Sequence, residues 1–445
     1  MAFGVEPEVL EMKRGLRLSV WCALALVGAF TVFCLFTPAA AKCDFNYRMA
    51  EVDCVRRGVD PFRVWNEEVI VCPYYSNNPE RRSIPDGCTE MISVYEPWEY
   101  TLMMPLSFLR KETAWLTYSF LSFGAILLLV LIAGYRAPLW AAENRTDVLL
   151  GASTATLAVC YPIWSNFQIG NHICVVLLFA GLMAHFLNAR RDFLAGLCWM
   201  MIMMKPQIGL IFAVPFLLRM KVKVGIVAVA SCLLLSIPSS ILCQASLVDL
   251  LLEPAGASAF AFEGCGTWPK FLCGTFSQSG DILAGTVIGA AVCLWITWLL
   301  RREQDWFVIL MPAAMLSSCW TYTQAYSHAM GWFLVFVLVR ELVSNPRSKF
   351  LWVMMVLSAF FLSRWFLAWH GLCAFAGWRF PMSEYAFRCV DSLNSTASLV
   401  LAAVFCVWKA RNDSPNRAVQ GILVLPHFKD RAVANATDGG GANLV

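Results

Sequence analysis

The chain has 445 residues, 59% of them hydrophobic and only 14% charged, with a mean hydropathy of +0.62. An ordinary soluble domain is about a quarter charged and about half apolar, so a soluble enzyme, a disordered chain and a coiled coil are all excluded. The net charge of +4 sets 34 basic against 30 acidic residues, too small an excess for a nucleic-acid partner. Apolar runs of about 18 residues or more recur instead, each long enough to cross ~30 Å of hydrocarbon. The composition is that of an all-α polytopic membrane protein.

Basic residues mark cytoplasmic loops, and they orient the runs in chain order. The first, 18–40, follows Lys13, Arg14 and Arg17. It reads as an uncleaved span, although Ala39-Ala40-Ala41 resembles a signal-peptide cleavage site. A long polar stretch, 42–113, comes next, and then spans near 115–134, 148–164 and 173–186. Two apolar halves follow, 193–204 and 208–218, divided by Lys205-Pro206-Gln207 and flanked on both outer ends by basic residues. Each half reaches under ~20 Å at ~1.5 Å per residue and cannot span alone. A broken, re-entrant pair is expected, with its turn covered by protein or a cavity. Spans at 224–242, 282–300, 307–323, 328–339, 350–369 and 399–408 complete about twelve passes, with both termini cytoplasmic. Residues 1–410 form one transmembrane unit. The polar tail, 411–445, reads as disordered.

Three outer loops, about 42–113, 243–281 and 371–391, are long enough to build a site. They carry Cys43, Cys54, Cys72, Cys88, Cys265, Cys273, Cys373 and Cys389 in even-numbered groups, a pattern that suggests disulfides in an oxidising compartment. A catalytic site is therefore expected on the extracytoplasmic face, away from cytoplasmic nucleotides.

Asp44, just after the first span, is a carboxylate at the membrane boundary and reads either as a general base or as a helix N-cap. Glu51, Asp53, Asp60, Glu67 and Glu68 share its loop and read as solvated or structural. Residues 95–109 read as an amphipathic helix lying in the interface. Ionisable residues within apolar runs are functional candidates. Lys205 and Arg364 are placed to neutralise a lipid-linked phosphate, or else snorkel to the interface. His328 reads as a ligand for a phosphate or a sugar hydroxyl, or as packing. Gln168, Asn171 and His172 crowd a tight outer loop as sugar-hydroxyl partners, and Trp98 or Trp268 offers a stacking wall. No Gly-rich phosphate loop, zinc-type His/Glu motif, nucleophile elbow or Asp-x-Asp occurs.

These residues together resemble glycosyltransferase family 87, the polyprenyl-phosphate-sugar-dependent membrane enzymes. Asp44, Tyr47 and Gly58-Val59-Asp60-Pro61-Phe62 are similar to the family's Asp followed by Gly-x-Asp-Pro-Tyr. Glu96-Pro97-Trp98 through Pro105-Leu106 resembles its aromatic-Pro-Pro segment and apolar Pro-Leu. Gln168-Ile169-Gly170-Asn171, Leu194-Ala195-Gly196 and Lys205-Pro206-Gln207 are similar to its Gly-Gln-x-Asn, Ala-Gly and Lys-Pro series. Residues 317–328 resemble a Ser-Pro-x-x-Trp-x-x-x-His region, with Cys319 replacing the proline. Phe62 replaces a tyrosine, and Gln-Ile-Gly departs from the Gly-Gln order. The resemblance covers about 40–340.

It implies a GT-C-type fold in an inner membrane and an inverting transfer, with mannose favoured, from polyprenyl phosphate to an extracytoplasmic lipid or glycan. Asp44 would act as base, with no metal or cofactor required. The assignment of Lys205 and Arg364 to the phosphate comes from their charge and depth rather than from the resemblance. A transporter or lipid flippase with its site at the broken helix is the rival reading, and a non-catalytic scaffold is a third.

Overall fold

The computed structural model describes residues 43–61, 96–136, 163, 166–167, 169–252, 278–317, 329–345, 347–363 and 384–412, with positions 25 and 29. Among these the chain is helical, without a strand. The expected spans at 18–40 and 148–164, the tail, and most of the three outer loops lie outside the described residues.

Helix α1 (Cys43–Arg56) follows the first apolar run. It is capped by Gly58 in the left-handed region at φ +76, the conformation glycine adopts without a Cβ penalty. Helix α2 (Pro97–Met103) starts on a proline whose missing N–H is unneeded there, and a 3-10 turn, Met104–Phe108, ends it. Then come α3 (Lys111–Arg136), α4 (Ile173–Asn188) and α5 (Asp192–Ile202). After them lie α6 (Pro206–Leu218), which contains a 3-10 turn at Leu210–Phe212, and α7 (Val222–Cys243). The second half holds α8 (Gln278–Leu299), α9 (Trp306–Ser317), α10 (Trp332–Ser344), α11 (Lys349–Ser363) and α12 (Glu384–Asn412).

Among the described residues two helical stretches, Lys111–Leu129 and Val222–Cys243, are long and apolar enough to cross a membrane. Helix α7 is polarised by side-chain size rather than by charge. Ile226, Val229, Leu233, Leu234, Ile237 and Ile241 are exposed, while Ala228, Cys232, Ser236 and Ser239 are buried. Small residues at a helix contact let backbones approach closely where lipid supplies no hydrophobic drive. Gly196 on α5 shows how closely: a Cβ there would lie 2.6 Å from the Val227 side chain and 2.9 Å from the Val224 carbonyl oxygen. At the centre, every residue of α9 is buried, as expected of a helix apolar on all sides. It packs against α4, α8, α10 and α12.

The chain doubles back at Lys205-Pro206-Gln207. Trp199 packs against Phe216 with ring centroids 4.8 Å apart and the planes tilted by 55°, and its indole N–H donates to the Gly209 carbonyl at 2.9 Å. In one straight helix residues 199 and 216 would be about 25 Å apart. The outer ends of the pair also meet, Lys221 bonding Asp192 at 2.9 Å.

Two expectations need correction. Cys54 is a buried thiol on α1 rather than half of a disulfide; the side chains of the other loop cysteines lie outside the described residues. Residues 95–109 do not form an amphipathic helix resting on the interface. Pro97, Trp98, Glu99, Tyr100 and Met103 are buried, because α2 is wedged between α1 and α7. Ser239 on α7 donates to the Pro97 carbonyl at 2.9 Å and lies 3.0 Å from the Thr101 hydroxyl.

Candidate active site

Asp44 occupies the first turn of α1 and not the N-cap. Its carboxylate is used across the fold instead: Asn171 Nδ2 donates to Asp44 Oδ2 at 2.7 Å. Asn171 is held there by a tight loop built on Asn166. The Asn166 carbonyl accepts from the Gly170 and Asn171 amides at 2.9 and 3.1 Å, and its side-chain oxygen accepts from the Ile173 amide at 3.2 Å. Gly170 has φ +77, and a Cβ on it would stand 2.5 Å from Phe45 Cβ and 2.7 Å from the Trp115 ring. The loop therefore presses on α1 at the residue beside Asp44, and only glycine permits that approach.

His172, buried behind Asn171, bridges two further elements. Its Nε2 lies 2.8 Å from Glu99 Oε1 on α2, and its Nδ1 lies 2.8 Å from the Tyr118 hydroxyl on α3. An ionised carboxylate only accepts hydrogen bonds. The proton therefore sits on Nε2, and in the neutral ring Nδ1 accepts from the Tyr118 O–H. Arg48, one turn along α1 from Asp44, reaches Glu51 at 3.2 Å and Glu99 at 3.5 Å. Burial pushes the Glu51 carboxyl up to about 8, against the pull of Arg48.

Lys205, at the reversal between α5 and α6, is fully buried and interacts electrostatically with Asp44, Arg48 and Glu99. The turn that carries it is latched to α2: Trp98 Nε1 donates to the Met203 carbonyl at 3.1 Å. Trp98 is thus buried, with its N–H committed to the backbone.

Of the expected site residues, Asp44, Asn171, His172, Lys205 and Trp98 converge on one buried polar cluster. Gln168, Trp268, His328 and Arg364 lie outside the described residues. Glu51 and Asp53 are buried rather than solvated, Asp53 being gripped by Arg56 at 2.5 Å and Arg57 at 2.7 Å. Three participants were not singled out from the sequence: Arg48, Glu99 and Tyr118. Asp44, Arg48 and Glu51 recur at i, i+4 and i+7, one face of a helix, a signal legible in the sequence. Glu99 and Tyr118 carried none, because their partners lie 73 and 54 residues away.

A family model for glycosyltransferase family 87 matches residues 94–319, just over half of the chain. The chain belongs to that family. It is accordingly a glycosyltransferase, and with its long apolar helices it is membrane-associated. Membership sets aside the transporter and scaffold readings. No curated protein matches the chain. The matched region includes Glu99, Tyr118, Asn171, His172 and Lys205 but begins after α1, so the case for Asp44 and Arg48 rests on geometry.

Proposed function

We propose that the enzyme moves one glycosyl residue, mannose favoured, from a polyprenyl phosphate to an extracytoplasmic lipid or glycan acceptor, with inversion. Asp44 is the base. With Asn171 fixing Oδ2, Oδ1 receives the proton of the acceptor hydroxyl as its oxygen attacks the anomeric carbon. The bond from that carbon to the phosphate oxygen breaks, and polyprenyl phosphate departs. Lys205 supplies positive charge to the phosphate, where preorganised electrostatics count for most in a dry site. Arg364 and His328 are assigned to the same phosphate, and Gln168, Asn171 and Trp268 to the sugar; His172, expected beside them, has both ring nitrogens engaged by Glu99 and Tyr118 and supports Asn171 from behind. No resident metal or cofactor enters this scheme.

The observation that carries the reading is the Asp44–Asn171 contact: an outer-loop carboxylate held by a buried amide, with a buried lysine in electrostatic reach. In this reading the chain makes about twelve passes in the inner membrane, both termini are cytoplasmic, and the site opens outward.

The test is transfer by purified protein in detergent, with polyprenyl-phosphate-mannose as donor and a total lipid extract as acceptor. Wild type releases polyprenyl phosphate; Asp44→Asn loses about 10²–10⁴-fold in turnover, the usual worth of a positioned base, while remaining folded. Substantial turnover by the variant removes Asp44 from the base role. Polyprenyl-phosphate-glucose and -arabinose, run in parallel, decide the sugar.

A further inference from the structure

Two buried acceptor atoms in the cluster are left over by the hydrogen-bond network. Glu99 is wholly buried. Its Oε1 takes His172 Nε2 at 2.8 Å and faces Arg48 at 3.5 Å, whereas Oε2 has no hydrogen-bond partner among the described residues. Asn171 is 2% exposed. Its Nδ2 must face Asp44, since a carboxylate accepts and cannot donate, so Oδ1 points elsewhere and is likewise without a partner among the described residues. An unmet buried acceptor costs about 1–3 kcal/mol, and more when charged.

The missing partner must donate hydrogen bonds. A phosphate monoester, an acceptor at neutral pH, does not qualify. No group of three or more His, Cys, Asp or Glu side chains is gathered to hold a metal ion among the described residues. Neutral hydroxyls qualify, and a glycosyl unit presents several at fixed spacing.

The position of Glu99 fits the same occupant. Through His172 it is one residue removed from Asn171, which holds the base. Through Trp98, bonded to the Met203 carbonyl, it is tied to the turn carrying Lys205. It therefore belongs between the two groups that handle the acceptor hydroxyl and the phosphate, and the sugar in transfer joins those two.

We propose that Glu99 Oε2, with Asn171 Oδ1, accepts hydrogen bonds from ring hydroxyls of the transferred sugar and sets which sugar is used. His172 and Tyr118 are positioning residues: the hydroxyl–imidazole–carboxylate chain holds Oε1 so that Oε2 faces the substrate. The proposal rests on the transfer reading above.

The test pairs the full-length enzyme and Glu99→Gln with the intact donor and a panel of donors each lacking one ring hydroxyl. In wild type, one deoxy donor loses about 10–100-fold in kcat/KM, the factor expected when a charged buried acceptor loses its partner. Glu99→Gln loses a similar factor on the intact donor and no longer penalises that deoxy position, while the penalties at other positions persist. A merely structural role lowers all donors alike, and that additive pattern overturns the proposal. So does a wild-type panel in which every deoxy donor stays within about threefold of the intact one, a result that needs no variant to fold. Failure of wild type to use any polyprenyl-phosphate sugar would instead overturn the transfer reading, and the subsite with it.

Discussion

Gly170→Ala is the smallest change that should separate the base from its holder. The backbone at Gly170 has φ +77, where an L side chain costs about 1–2 kcal/mol. The added methyl would also lie 2.5 Å from Phe45 Cβ and 2.7 Å from Trp115 Cζ3, against an ordinary carbon contact of about 3.5–4.0 Å. Something must move by roughly 1 Å to restore that contact. The movable parts are the 170–171 loop and α1 at Phe45, and these are the chain neighbours of Asn171 and Asp44. Their 2.7 Å hydrogen bond would open to about 3.7 Å, past the limit of a bond. A 1 Å misplacement at a reacting group costs about 10²-fold in rate, so kcat should fall by about that factor. Gly58→Ala is the control. It carries the same left-handed strain, at φ +76, but among the described residues its Cβ meets only the Leu242 carbonyl oxygen, at 3.1 Å, away from the cluster. It should lower the melting temperature comparably and keep turnover within a few fold. Wild-type kcat in Gly170→Ala, or an equal loss in Gly58→Ala, would refute the reasoning.

Two further predictions concern charge. Lys205→Met should lower kcat/KM for the lipid-phosphate donor by about 10²–10³-fold and also lower the melting temperature, since removing one member of a buried charged set leaves Asp44 and Glu99 without its compensation; wild-type turnover in the folded variant counts against the assignment. Burial and the neighbouring Glu99 push the Glu96 carboxyl up from 4.5 to about 8. Between those values the folded state binds more protons than the unfolded chain, so stability should fall as pH rises through that window. The melting temperature of Glu96→Gln should therefore match wild type near pH 5 and exceed it by several degrees above pH 8; parallel profiles would refute the shift.

Most of the helical frame was legible in the sequence, because an apolar run long enough to span is itself the signal for a helix. The reversal was legible too: a lysine, a proline and a glutamine between two short apolar runs leave no straight helix to build. The depth of α2 was not. A helix with one apolar face reads alike whether that face meets lipid or protein, and only Ser239, about 140 residues away, and the Met203 carbonyl decide that α2 is held inside. Cys54 misled for the same reason, its even-numbered company in the loop saying nothing about which way its helix turns it.

The site divides along similar lines. Asn171, His172 and Lys205 announce themselves as polar residues at breaks in apolar runs. Glu99 lies in a segment whose polarity is unremarkable, and its meaning comes from what surrounds it. Arg48 lies between Glu51 and Glu99 and faces both, Nη1 at 3.2 Å from the first and Nε at 3.5 Å from the second. Burial raises the Glu51 carboxyl to about 8 even against the pull of Arg48. Glu99 holds His172 through Oε1 and keeps Oε2 for a hydroxyl. A cluster that looks overloaded with carboxylates in the sequence thus sets Arg48 and Lys205 among Asp44, Glu51 and Glu99, and that arrangement depends on burial that no local pattern encodes.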